Sequence, residues 1–245
     1  MNTRILRSWI AAIGVALLAG CGGGGGGGGA NAAEPVASPN SFALASAYGA
    51  LIRDGESHSY SVTGTCAGTA TIANAPAATA GSFEGFPGYS ASQVVTLSWP
   101  NCTNYAARTT GTTYYNDTYL PVGLSVDGGE YAVATAAPTA LPSSVVVGNT
   151  GKIVTMATYR DSSKTIPTGT REFSYKIERD TATTAVANIT VLGFDTYGQP
   201  LSTQESRYRM AVNGGTTTLT LLSVTSKFTT LATGNIELNF LYTVQ

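Results

Sequence analysis

Charge is scarce in this chain. Only 11% of its 245 residues are Asp, Glu, Lys or Arg, against the quarter usual for globular domains. The 13 basic and 14 acidic residues nearly cancel. No basic patch stands out to draw nucleic acid or anionic lipid. Histidine occurs once, as His58, and cysteine three times. A Ser-His-acid triad would have to run through His58, which lies in Glu56-Ser57-His58-Ser59 and reads as a solvated polar turn. There is no CxxC and too few Cys and His for a structural metal site. There is also no HExxH, no EF-hand loop and no Walker sequence. The nearest approach to a GxSxG nucleophile elbow is Gly88-Tyr89-Ser90-Ala91-Ser92, which lacks the second glycine. On these absences the chain is expected to be no enzyme and to use no cofactor. Long apolar runs are missing too. The longest candidate, Trp9 to Leu18, has about ten residues, half of what a membrane-crossing helix requires.

That short run is informative in its own right. Arg4 and Arg7 precede it, and Leu18-Ala19-Gly20-Cys21 closes it. The arrangement reads as a secretory signal. Its end resembles the lipobox of bacterial lipoproteins at all four positions. The resemblance implies a signal peptide over 1–20, cleavage before Cys21, diacylglycerol on the Cys21 thiol and an acylated amino terminus. More than one acyl chain makes such an anchor stable. Gly22, not Asp, follows the cysteine, which by the same resemblance sends the protein to the outer membrane of a Gram-negative cell. The layout is similar to a loose set of Gram-negative lipoproteins with polyglycine after the lipobox, a likeness that brings no activity with it.

Removing the signal leaves 225 residues, with 11 basic against 14 acidic and a net charge near −3. Eight glycines, Gly22 to Gly29, begin a tether over 21–40 that includes Pro35 and Pro39. Polyglycine packs nothing and is expected to be a disordered coil, reaching some 25 Å for about 20 residues. Two cysteines remain, Cys66 and Cys102. An even pair in an exported chain reads as one disulfide. It closes a loop of 37 residues, for roughly 4 kcal/mol in the chain-entropy model.

Ser41 to Arg53 has helical character, with Ser41 as a candidate cap and Phe42, Ala45 and Leu51 as a stripe; a strand competes closely with it. From Glu56 onward the period is two. Strands are expected over 57–66, 68–74, 93–99, 108–115 and 120–126. Ala75 to Ser92 is a long loop or a broken strand. Asp127-Gly128-Gly129 is a hairpin turn into 130–135. Ala136 to Pro142 separates an N-terminal β region, 41–137, from a C-terminal one, 138–245. There, strands over 145–147, 152–159, 172–179, 185–194, 206–212, 217–225 and 236–244 alternate more sharply. The pattern predicts an all-β fold, an antiparallel sandwich or meander, either as one continuous core or as two small subdomains.

One cluster invites a binding role. Tyr114, Tyr115, Asn116, Asp117 and Tyr119 fall within six residues, with Phe83, Phe86 and Tyr89 as candidate neighbours. Aromatic faces beside amides and carboxylates suit carbohydrate or protein surfaces. Simple alternation, with Tyr114 inward and Tyr115 outward, explains the same residues. Glu84 and Asp117 are candidates for a glycosidase acid pair. Arg207 and Arg209, two apart on one wet face, read as balancing nearby acids or as an anion site. The expectation is therefore an envelope lipoprotein, anchored at the outer membrane through lipid on Cys21. Its β domain binds or scaffolds an envelope protein or glycan. The alternatives are a glycan-acting enzyme and an adhesin-like binder.

Overall fold

The computed structural model describes residues 34–100, 108–230 and 234–242. Among them are one helix, α1 (Leu44–Asp54), and thirteen strands. The strands are β1 (Glu56–Gly64), β2 (Gly68–Asn74), β3 (Ala78–Phe83), β4 (Phe86–Ser98), β5 (Arg108–Asn116), β6 (Pro121–Val126) and β7 (Tyr131–Ala134), followed by β8 (Thr150–Tyr159), β9 (Pro167–Arg179), β10 (Ala185–Phe194), β11 (Pro200–Asn213), β12 (Thr216–Thr230) and β13 (Gly234–Tyr242). All thirteen belong to one antiparallel sheet. From β4 to β13 each strand pairs with the next, an up-and-down meander. β1 then pairs with β13, and β2 pairs with both β1 and β4. The two ends of the meander thus meet, and twelve strands form a ring. β3 stands outside it, paired with β4 alone. β3 continues the path of β2 along β4 after a break at 75–77, so the broken-strand reading of 75–92 holds.

The alternation in the sequence decides which face is dry. On β9, Arg171, Phe173, Tyr175 and Ile177 are buried, while Ser174, Lys176 and Glu178 point the other way. Each apolar side chain turned inward contributes about 1.5–3 kcal/mol. The inward residues form one continuous core, from Tyr60 and Val62 on β1 to Val224 and Phe228 on β12. That core crosses the junction at 137/138. β7 pairs with β8, and Leu141 of the intervening loop is itself buried. The outer face carries Thr, Ser and charged side chains on β1, β9, β11 and β12. This is the reverse of the apolar exterior of a membrane-spanning barrel. Among the described residues, no helix is long and apolar enough to cross a membrane.

The N-terminal segment covers one end of the ring. Val36 bridges Asp180 in the β9–β10 turn, and the Asn40 amide donates to Thr183 O at 3.2 Å. Phe42 and Val145 exchange backbone hydrogen bonds of 2.9 Å each way, and Ala43 N–H donates to Thr217 Oγ1 at 2.9 Å. Because Phe42 is committed to that bridge, the helix begins only at Leu44. Its N-cap is Ala43, with no side-chain cap, and not the exposed Ser41. The buried stripe is accordingly Leu44, Ala47, Tyr48 and Ile52, with Ala45 and Leu51 at its margin. Gly55, at φ 64°, ends the helix and turns the chain into β1. Ala77 N–H donates to Ile52 O at 3.2 Å, tying the helix to the break between β2 and β3.

Ile52 is 2% exposed at this junction. Ile52→Ala should therefore cost about 2–5 kcal/mol, read as a lower midpoint in urea denaturation. A change inside experimental error would mean that α1 does not form part of the cooperative core.

Candidate functional site

The tyrosine segment lies where β5 turns into β6. Leu124 and Thr113 face the core as a cross-strand pair, and that parity carries Tyr115 inward, where it is 7% exposed. Burial pushes its hydroxyl far above the usual tyrosine range, despite a hydrogen bond with Thr113. Tyr114 faces outward. The expected order, Tyr114 in and Tyr115 out, is thus reversed. Asn116 is spent on the turn. Its Oδ1 accepts from Thr118 N–H (3.0 Å), Thr118 Oγ1 (2.9 Å) and Leu120 N–H (2.8 Å). Asp117 is exposed on the same turn. Tyr119 adopts φ 61°, a left-handed conformation costly for a bulky side chain.

The aromatic neighbours do assemble, as two stacks. Tyr89 and Tyr119 lie parallel with ring centroids 4.6 Å apart, and Tyr119 also rests against Gly49 of α1. Phe83 and Tyr114 stack at 3.9 Å, with Tyr131 tilted beside Phe83 at 5.6 Å. Phe86 packs against the core margin. Phe83 reaches this position because the β3–β4 hairpin folds over the outer face of β6 and β7. The turn Glu84-Gly85, with φ 49° and 87°, supplies the reversal. Gly123 leaves room for the ring: a Cβ there would overlap Phe83 Cε1 and lie 2.7 Å from Ala132 O. Glu84 clasps the hairpin down. Its carboxylate binds Lys164 Nζ at 2.6 Å and accepts from the Tyr131 hydroxyl at 2.8 Å. Lys164 first, then Tyr131, holds the Glu84 carboxyl below the usual range. Glu84 is therefore a clasp for the hairpin, with a lysine and a tyrosine for partners.

Polar groups also enter the ring, and the sequence did not announce them. Arg171 takes an inward position on β9 and forms a two-point ion pair with Glu130. Nε lies 2.8 Å from Oε1 and Nη2 2.9 Å from Oε2. Desolvation raises the Glu130 pKa, and Arg171 opposes the rise. At the helix end of the ring, Glu56, Asn74 and Gln93 are cross-strand neighbours. Gln93 Nε2 donates to Asn74 Oδ1 at 2.6 Å, and His58 Nε2 lies 3.0 Å from Glu56 Oε2. His58 is thus a half-buried strand residue facing the interior, not a solvated turn. Burial raises the Glu56 pKa, with His58 opposing. No group of three His, Cys, Asp or Glu suited to a metal occurs among the described residues. Arg209 grips Asp180 with bonds of 2.6 and 3.1 Å, and Arg207 meets Glu178 at 3.3 Å, the charge-balancing role expected of them. Cys66 is buried, whereas Cys21 and Cys102 lie outside the described residues.

Two substitutions test these assignments. Gly123→Ala should cost about 1–3 kcal/mol by overpacking and alter the near-UV circular dichroism of the stacked rings. Arg171→Met should cost about 3–5 kcal/mol at neutral pH, because it strands a buried charge on Glu130. A carboxyl whose folded pKa lies above its unfolded one destabilises more as pH rises through the folded value. The Arg171→Met deficit should therefore shrink on acidification, as measured by denaturation at pH 5 against pH 7.

The chain matches no protein-family model, no curated protein and no solved structure.

Proposed function

We propose that this chain is an outer-membrane lipoprotein held through lipid on Cys21, and that its β domain binds or scaffolds an envelope component without chemical turnover. The observation that carries the reading is where the N-terminal chain meets the fold. The segment from Val36 to Asp54 docks across one end of the ring, against the β9–β10 and β11–β12 turns and the loop before β8. A tether leading to Cys21 then leaves from that end. The β8–β9 and β10–β11 turns, at the opposite end, face away from the membrane. Tyr197 is 87% exposed there, at a turn ordered by Asp195 Oδ1, which accepts from Tyr197 N–H and Gln199 N–H at 2.8 Å each. Ordered loops presenting an aromatic side chain suit recognition at low entropic cost. In this reading Cys66 pairs with Cys102, joining the β1–β2 turn to the segment that follows β4.

In cells, the wild-type chain should fractionate with outer membranes and Cys21→Ser with the soluble periplasm. In-cell crosslinking should give a discrete partner band that depends on the anchor. If Cys21→Ser remains with the membranes, lipid on Cys21 is not the anchor.

A further inference from the structure

The dry face of β11 alternates cleanly. Gln204, Ser206, Tyr208 and Met210 are buried, and the residues between them are more exposed. On β12, Val224, Ser226 and Phe228 are buried in the same alternation. Gln204 and Ser226 are direct cross-strand neighbours, so their side chains leave the sheet side by side and into the ring. Gln204 is 5% exposed and Ser226 0%. The wall next to them is apolar, with Val191 opposite Gln204 on β10 and Phe173 opposite Val191 on β9. Yet Gln204 Nε2 and Ser226 Oγ have no hydrogen-bond partner among the described residues. A buried polar group left unbonded forfeits its hydration with nothing in return, and native folds keep few of them. Two such atoms on neighbouring residues of one face point to a shared partner.

We infer that Gln204 and Ser226 hold one internal water molecule between them. An amide Nε2 only donates, whereas a serine hydroxyl both donates and accepts. Water accepts from the first and donates to the second, the bridging role that buried waters fill at polar sites. Other occupants fit less well. A cation offers no acceptor to Nε2. An anion would accept from both groups but would bring an unpaired charge into the core. Arg171, the buried cation of β9, is already committed to Glu130. An organic ligand needs an opening that side chains this closed to solvent do not provide.

The test uses the full chain. Magnetic relaxation dispersion of the water oxygen counts long-lived internal waters and does not register side-chain hydroxyls. It should report one such water fewer in the Gln204→Met/Ser226→Ala double variant than in the wild type. Ser226→Ala alone, which leaves the water a single side-chain partner, should show the same loss, so the count stands even if the double variant fails to fold. Urea denaturation supplies an independent readout. Ser226→Ala and Gln204→Met should each lower the folding equilibrium constant about five- to thirty-fold, because each strands the other half of the bridge. The double variant should lose less than the two single losses combined, since it removes both polar groups together. An unchanged water count overturns the proposal, and a direct bond between Gln204 and Ser226 would give that result. Single substitutions that leave stability unchanged or raise it also overturn it, as expected of groups with no partner to lose. So do strictly additive losses.

Discussion

The contact on which the rest of the architecture depends is the pairing of β2 with β4, six residue pairs from Thr69–Ser98 to Asn74–Gln93. Without it the sheet would be an open ribbon with two long edges, and its apolar face would lack an opposite wall. A second seam is as demanding. β1 meets β13 through Tyr60–Tyr242 and its neighbours, joining the two ends of the chain. Most other pairings are hairpins between consecutive strands, cheap in loop entropy. These two seams bring in distant segments, and such contacts slow folding because the loop must close before the contact rewards it. β2 takes part in the first seam and is bound to β1, which makes the second. Cys66 sits in the turn between these two strands, so the disulfide proposed above would stabilise both seams at once.

Closure also sets what the interior can tolerate. A ring with one continuous core has nowhere to put a charge except against its complement. Arg171 and Glu130 satisfy that condition with contacts of 2.8 and 2.9 Å. Glu56 and His58 do so less completely, near the end that α1 covers. The helix is part of the same logic. A ring of strands is open at both ends, and Leu44, Tyr48 and Ile52 close one of them with apolar surface. On the outer face Arg209 is the cross-strand neighbour of Val186, which is 1% exposed despite pointing outward. This explains why β10 reads as apolar on both faces.

The strands were legible wherever one face is wet. Gly68–Asn74 and Ala185–Phe194 fall where the period-two pattern puts them, and the Asp127-Gly128-Gly129 turn joins β6 to β7 as expected. Legibility failed where a second layer covers the outer face. Tyr114 and Tyr115 are both largely withdrawn from water, because the folded-back hairpin shelters the outer ring as the core shelters the inner one. Alternation then carries no signal, and the parity came out reversed. Arg171 was missed because a charged residue at an inward position looks like the start of a wet segment; only its spacing of two from Phe173 marks it. The helix register was misplaced for a different reason. Phe42 looks like a stripe residue, but a tertiary bridge to Val145 uses its backbone before the helix begins. Cys21 and Cys102 remain matters of sequence, outside the described residues.

The tyrosine cluster shows how a motif that looks like a site can be consumed by its own fold. Asn116 spends its carbonyl on three donors, Tyr115 is core, and the remaining rings stack on one another. Three of the arginines are similarly occupied, Arg53 by Asp54, Arg207 by Glu178 and Arg209 by Asp180. What remains facing water is mostly hydroxyl and backbone, on a chain with little net charge. Such a surface generates almost no long-range field, so it cannot steer a partner through electrostatics. Recognition by it must depend on short-range shape and backbone hydrogen bonds, which act only after contact. Under the anchoring proposed above, attachment to a membrane would compensate for that deficit by raising the local concentration of whatever shares the membrane. In that proposal the low charge of the domain and the polyglycine that precedes it are two halves of one arrangement: confinement brings surfaces together, and short-range contacts at ordered turns decide what stays.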